Sequence, residues 1–110
     1  SKSESKTKKA IHSLINKIKI SQKSEKEWNR FKMYFEELDS KFYQRLENIN
    51  ENLSENDKRM CALIKLNMNS KEIGQVLNIS PNSVKSARYR LKKKLLLSPD
   101  DDLESFIRRI

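Results

Sequence analysis

Apolar residues recur along this chain at steps of three and four and never alternate over a sustained run, a pattern that predicts helices throughout. Ile11, Leu14, Ile15 and Ile18 form the first stripe, enough for a helix of about 20 residues. Such a stripe has to dock on its own domain, on a second copy, or on sequence that precedes it in a longer protein. The lysine-rich SKSESKTKK of residues 1–9 has nothing to order it and reads as frayed chain or the remnant of a longer helix. A Ser24/Glu27 capping-box spacing then introduces Trp28, Phe31, Phe35 and Leu38, and Asp39 or Ser40 offers a fresh cap before Phe42, Leu46 and Ile49. Two helices with a bend are expected there. Six of the eight aromatics fall between Trp28 and Tyr43, and at helical spacing they read as a packing platform or an oligomer contact rather than a ligand pocket.

The next helix is predicted over Leu53 to Asn69. Ser54 caps it, Asp57 returns to the cap amide, and Met60, Cys61 and Ile64 face inward. Asn67 suits a left-handed stop, with Met68 folding back as its apolar contact. Ser70 then caps a helix of about two turns with Ile73, Val76 and Leu77 on one face. Gly74 lets another backbone come close, Asn78 tolerates the left-handed exit, and Ile79 is expected to point into the core. Ser80 and Pro81 open the following helix as cap and first helical residue. Val84, Ala87, Leu91 and Leu95 share its inward face, which turns Asn82, Lys85, Ser86 and Tyr89 outward. Pro99 ends that run. With Ser98 or Asp100 as cap, Leu103, Phe106, Ile107 and Ile110 make a last short stripe that closes the core or pairs two copies.

With 110 residues, the chain is one small domain, or a domain plus an extension. One glycine and two prolines leave little material for hairpins. Net charge is 24 minus 15, or +9, which favours a polyanionic partner without identifying one. A single cysteine excludes an intramolecular disulfide; Cys61 has no His or Cys at metal spacing and reads as a small buried apolar residue, with a redox-sensing thiol as the lesser alternative. There is no signal peptide and no apolar run of bilayer length, so a cytoplasmic protein without a membrane partner is expected. The basic stripe around Ile11 to Ile18 could lie on a membrane surface, but it lacks an aromatic anchor. No Cys/His pairing, glycine-rich phosphate loop or HExxH is present, and Asp100 to Asp102 stand in a row on a cap rather than across a cleft. The expectation is a non-enzyme with no cofactor, no metal and no small-molecule ligand in this stretch.

The helix after Pro81 carries Lys85, Arg88, Arg90, Lys92, Lys93 and Lys94 and no acidic residue. A basic amphipathic helix is often only a solvated face. Its setting after a cap, a turn and a second cap favours duplex DNA instead, with Lys85 suited to a guanine edge and Asn82 to an adenine edge. Ser80, Ser83, Arg90, Lys92, Lys93 and Lys94 are the candidate phosphate contacts.

Residues 53–97 resemble, without a gap, the LuxR/GerE-type DNA-binding domain of bacterial transcription regulators. The matching positions are Leu53, Ser54, Asp57, Met60, Cys61, Ile64, Lys71, Glu72, Ile73, Leu77, Ile79, Ser80, Ser83, Val84, Lys85, Leu91, Lys93 and Leu95. LIKLN at 63–67 and ARYRLKKKL at 87–95 look like the form found at the C-terminus of large sensor or repeat-containing regulators. Three positions depart from the pattern: Asn67 stands for glycine, Gly74 for alanine, and Arg88 for an apolar residue. Arg88 then reads either as the partner of a carboxylate such as Glu72 or as a phosphate contact. The resemblance implies an all-α, four-helix helix-turn-helix domain over 53–110, preceded by a helical extension over 1–52. It implies a recognition helix over 81–97 in the major groove, base contacts from Lys85, Ser86 and Tyr89, and a last helix that joins two DNA-bound copies. A homodimer on double-stranded DNA follows, with RNA polymerase as a further candidate partner. Sensing would lie outside these residues, so the chain reads as the C-terminal output fragment of a longer regulator. A sigma-factor-like promoter-recognition region and a helical adaptor for an acidic protein are the two other readings.

Overall fold

Ile11, Leu14, Ile15 and Ile18 are all buried on one side of α1 (Lys2–Ile20), and that side packs against α2 (Glu25–Leu38). The coordinates are those of a computed structural model, which describes residues 2–20 and 25–110. Ser24, the expected cap of α2, lies outside the described residues. From α2 come Trp28, Phe31 and Phe35, also buried, with the Trp28 and Phe31 rings edge to face at 5.3 Å and the Phe31 and Phe35 rings stacked at 6.0 Å. Burying a large apolar side chain contributes about 1.5–3 kcal/mol, and tertiary packing of this kind, rather than propensity, is what holds most helices in proteins. The stripe therefore docks within its own unit. Helix already begins at Lys2, so the lysine-rich segment extends α1 rather than fraying.

Contacts divide the chain into two compact units, Ser1–Lys41 and Phe42–Ile110. The first holds α1 and α2. The second holds α3 (Phe42–Ile49), α4 (Glu55–Lys65), α5 (Ser70–Leu77), α6 (Pro81–Lys94) and α7 (Leu103–Arg109). The expected break between α2 and α3 is present, with the Asp39 carboxylate accepting from the Lys41 amide. Phe42 and Leu46 are fully buried, so α3 belongs to the second unit although it precedes Leu53. Polar ties reinforce this: Arg45 donates to the Ile110 carbonyl at 2.7 Å, Asn50 to the Lys94 carbonyl at 3.2 Å, and Lys58 pairs with Glu47 at 3.0 Å.

At the centre of the second unit, α4 has five consecutive buried residues, Met60 to Ile64, and packs on α5 and α7. Cys61 is wholly enclosed, and burial pushes its thiol up to about 12, as expected of a small core residue. Ser54 and Asp57 form the expected capping box, each side chain bonded to the other's amide. The far end closes through left-handed Asn67 (φ 65), whose amide reaches the Ile64 carbonyl while that of Met68 reaches Leu63.

Two expected caps are displaced. Asn69, not Ser70, caps α5, because its side chain accepts from Glu72 and Glu72 returns the bond, a second capping box one residue earlier. Asp102, rather than Ser98 or Asp100, caps α7 through the Ser105 amide. Ser98 is engaged elsewhere, its amide donating to the Asp101 carboxylate in the turn before α7. Of the last stripe, Leu103 and Ile107 are buried, while Phe106 and Ile110 stay partly exposed.

Candidate nucleic-acid interface

The orientation of α6 is set by the residues Asn78, Ile79 and Ser80 between it and α5. Asn78 leaves α5 left-handed (φ 56, ψ 49), and the amides of Asn78 and Ile79 both donate to the Gly74 carbonyl. A Cβ on Gly74 would stand 3.1 Å from the Ile79 carbonyl oxygen and 3.2 Å from a Val84 methyl. Absence of a side chain here brings the turn and the start of α6 close against α5. Val84 takes the space over Gly74, and Ile79, expected in the core, is instead 37% exposed.

Ser80 caps α6, its oxygen accepting from the Ser83 amide at 3.1 Å and its hydroxyl donating to that of Ser83 at 3.0 Å. Pro81 follows as the first helical residue, and Val84, Leu91 and Leu95 anchor the helix inward, with Ala87 half-buried beside them. The spacing then leaves Asn82, Lys85, Ser86 and Tyr89 exposed along the other face. Lys93 lies one turn further on, its ammonium 4.4 Å from the centre of the Tyr89 ring, so these two side chains hold each other on that face. Asn82, Lys85, Ser86 and Arg90 make no side-chain hydrogen bond or ion pair among the described residues.

The six cations of α6 do not share one role. Lys94 reaches back to Asp57 at 2.6 Å and joins the end of α6 to the start of α4. Burial alone would raise the Asp57 pKa, but the Lys94 and Ser54 hydrogen bonds outweigh it and hold the carboxyl below its ordinary range. Lys92 donates to the Pro99 carbonyl at 2.8 Å. Arg88 pairs with Glu104 of α7, not with Glu72. These three stitch the unit together, whereas Lys85, Arg90 and Lys93 have no ion pair among the described residues. Arg90 also borders a groove of about 310 Å³ between the first turn of α4 and the α5 to α6 turn, together with Asn56, Met60, Ile79 and Ser83.

Sequence spacing did not reveal the Asp57 to Lys94 and Arg88 to Glu104 pairs. Asp57 was legible as a cap, but its second bond spans two helices and has no local periodicity. Arg88 gave one signal, a cation where the resembling pattern has an apolar residue. Among the described residues no cluster of His, Cys, Asp or Glu could hold a metal ion, and no helix is long and apolar enough to cross a membrane. No family model, curated protein or solved structure matches the chain.

Proposed function

We propose that this chain binds double-stranded DNA with sequence selectivity, as the output region of a bacterial transcription regulator. The observation that carries the reading is the exposed face of α6. Asn82, Lys85, Ser86 and Tyr89 stand outward with no competing partner but the Lys93 ammonium, on a helix without an acidic residue whose far side is locked in a core. In a major groove these side chains would meet base edges, while Arg90, Lys93 and the Ser83 hydroxyl would meet phosphates, and Ser80 would join them by turning its hydroxyl away from Ser83. In this reading α4 to α7 form the four helices of a LuxR/GerE-type domain, α5 and α6 being its helix-turn-helix. Two copies on a pseudo-palindromic site are the expected assembly, in the cytoplasm and within reach of RNA polymerase.

Selection of bound sequences from random duplexes at moderate salt, with no polymerase present, tests the reading directly. Enrichment of a short motif is expected; binding that emerges only when polymerase core is added would point to a sigma-like region, and no binding with or without it to an adaptor. On the selected site Lys85→Ala should cost about 1–3 kcal/mol and relax the preference at one position. Equal losses on selected and random DNA would contradict base reading by Lys85.

A further inference from the structure

The first unit has a cationic surface of its own, which the α6 reading leaves unused. At 3.6 residues per turn, Lys6, Lys9, Ser13, Asn16 and Lys17 lie on the side of α1 away from Ile11, Leu14, Ile15 and Ile18, and all five are exposed. From Ser5 to Ser24 the sequence has no Asp or Glu. None of Lys6, Lys9 and Lys17 has an ion pair among the described residues, whereas Lys8 is paired with Glu4 at 3.7 Å. A helix dipole favours Lys17 near the C-terminal end of α1. Lys6 and Lys9 sit in the N-terminal half and gain nothing from it, so the dipole does not account for them.

We infer that this ridge is a second nucleic-acid contact, which binds duplex phosphates without reading sequence. The inference rests on the α6 reading for its choice of polyanion. A membrane surface fits less well, because the apolar face that α1 would need for insertion is covered by α2, with Ile11 1% and Ile18 3% exposed. What remains outward is charge with hydrogen-bonding side chains between, as suits a row of phosphates, with one apolar residue, Ile20, 85% exposed at the C-terminal end of the same side. Lys6 to Lys17 spans about 16 Å at 1.5 Å per residue, roughly five phosphates of one strand measured along the duplex axis.

The test uses the full chain and a duplex carrying the selected site between long flanks. Wild type is compared with the triple variant Lys6→Gln, Lys9→Gln, Lys17→Gln and with its Lys→Arg counterpart, which keeps the charge. The glutamine variant should lose about two to three units of log–log salt slope, and affinity on the order of 100-fold at 0.1 M salt. Its preference for selected over scrambled sequence should not change, and the arginine variant should bind like wild type. DNA binding by wild type with an unaltered slope in the glutamine variant would overturn the ridge and leave the α6 reading standing. Loss of slope in a protein for which Lys85→Ala changes nothing would do the reverse. A glutamine variant that keeps its DNA affinity but no longer binds phosphatidylserine vesicles would overturn the ridge in favour of a membrane, and absence of any DNA binding by wild type would remove both.

Discussion

Leu96 follows α6 in the left-handed region (φ 63), with the amides of Leu96 and Leu97 closing on the Lys93 and Lys92 carbonyls. For a residue with a Cβ that conformation costs about 1–2 kcal/mol, and glycine avoids it at an entropic cost of about 0.5–1 kcal/mol. Leu96 is 81% exposed, so little burial offsets the strain. Leu96→Gly should therefore stabilise the protein by about 0.5–1 kcal/mol, visible as a higher urea midpoint at unchanged m-value. Asp57 supports a second prediction. Its folded pKa lies below the ordinary value, so its contribution is complete above about pH 4 and is lost as pH falls through the folded value. The urea midpoint of the native protein should fall on acidification below about pH 4, and Asp57→Asn should be less stable at pH 7 with a shallower acid slope. An identical acid profile in the variant would show that other carboxylates carry it.

The helices themselves are ended by side chains and turns whose signals are local. Ser54 with Asp57, Ser80 with Pro81, and the left-handed Asn67 and Asn78 stand where residue type and spacing predict them. Where two polar residues stand close together the choice is less local: Asn69 displaces Ser70 because Glu72 completes its box, and Asp102 displaces Ser98 because Ser98 is held in a turn with Asp101. Between α5 and α6 the decisive residue is Gly74. Its site has contact-distance backbone on one side and a methyl on the other, so a branched side chain must push α6 away from α5. Gly74→Val is expected to cost about 1–3 kcal/mol through overpacking. If α6 shifts, DNA binding should fall more than the lost stability accounts for; a variant that is destabilised but binds DNA normally once folded would show that α6 tolerates the displacement.

Over the whole molecule the question is which cations remain available once the units are built. Composition treats Arg90 and Lys94 alike. In the folded protein Arg90 has no ion pair among the described residues, whereas Lys94 is held by Asp57. Arg90→Ala should then lower the log–log salt slope of DNA binding by about one, with little change in stability. Lys94→Met should leave the slope unchanged but reduce stability, since it strands a half-buried carboxylate. A slope change of about one for Lys94→Met would return it to the phosphate contacts. The six clustered aromatics divide in the same way: Trp28, Phe31, Tyr34 and Phe35 belong to the first unit, Phe42 and Tyr43 to the second.

Sequence alone determined that the chain is helical, where α4 and α6 begin, where the left-handed stops at Asn67 and Asn78 fall, and which face of each helix is apolar, because a helix is built from bonds and caps within four residues of one another. It ran α6 to residue 97, whereas the helix ends at Lys94 ahead of left-handed Leu96. It also determined which side chains α6 turns outward, since that face is whatever the buried stripe excludes. Tertiary structure decided that α1 docks on α2, that α3 joins the second unit, that Ile79 surfaces while Val84 fills the space over Gly74, and that half the cations of α6 are engaged within the protein. Each of those outcomes depends on contacts between residues far apart in the chain, and charge or periodicity at one position carries no information about what stands opposite it.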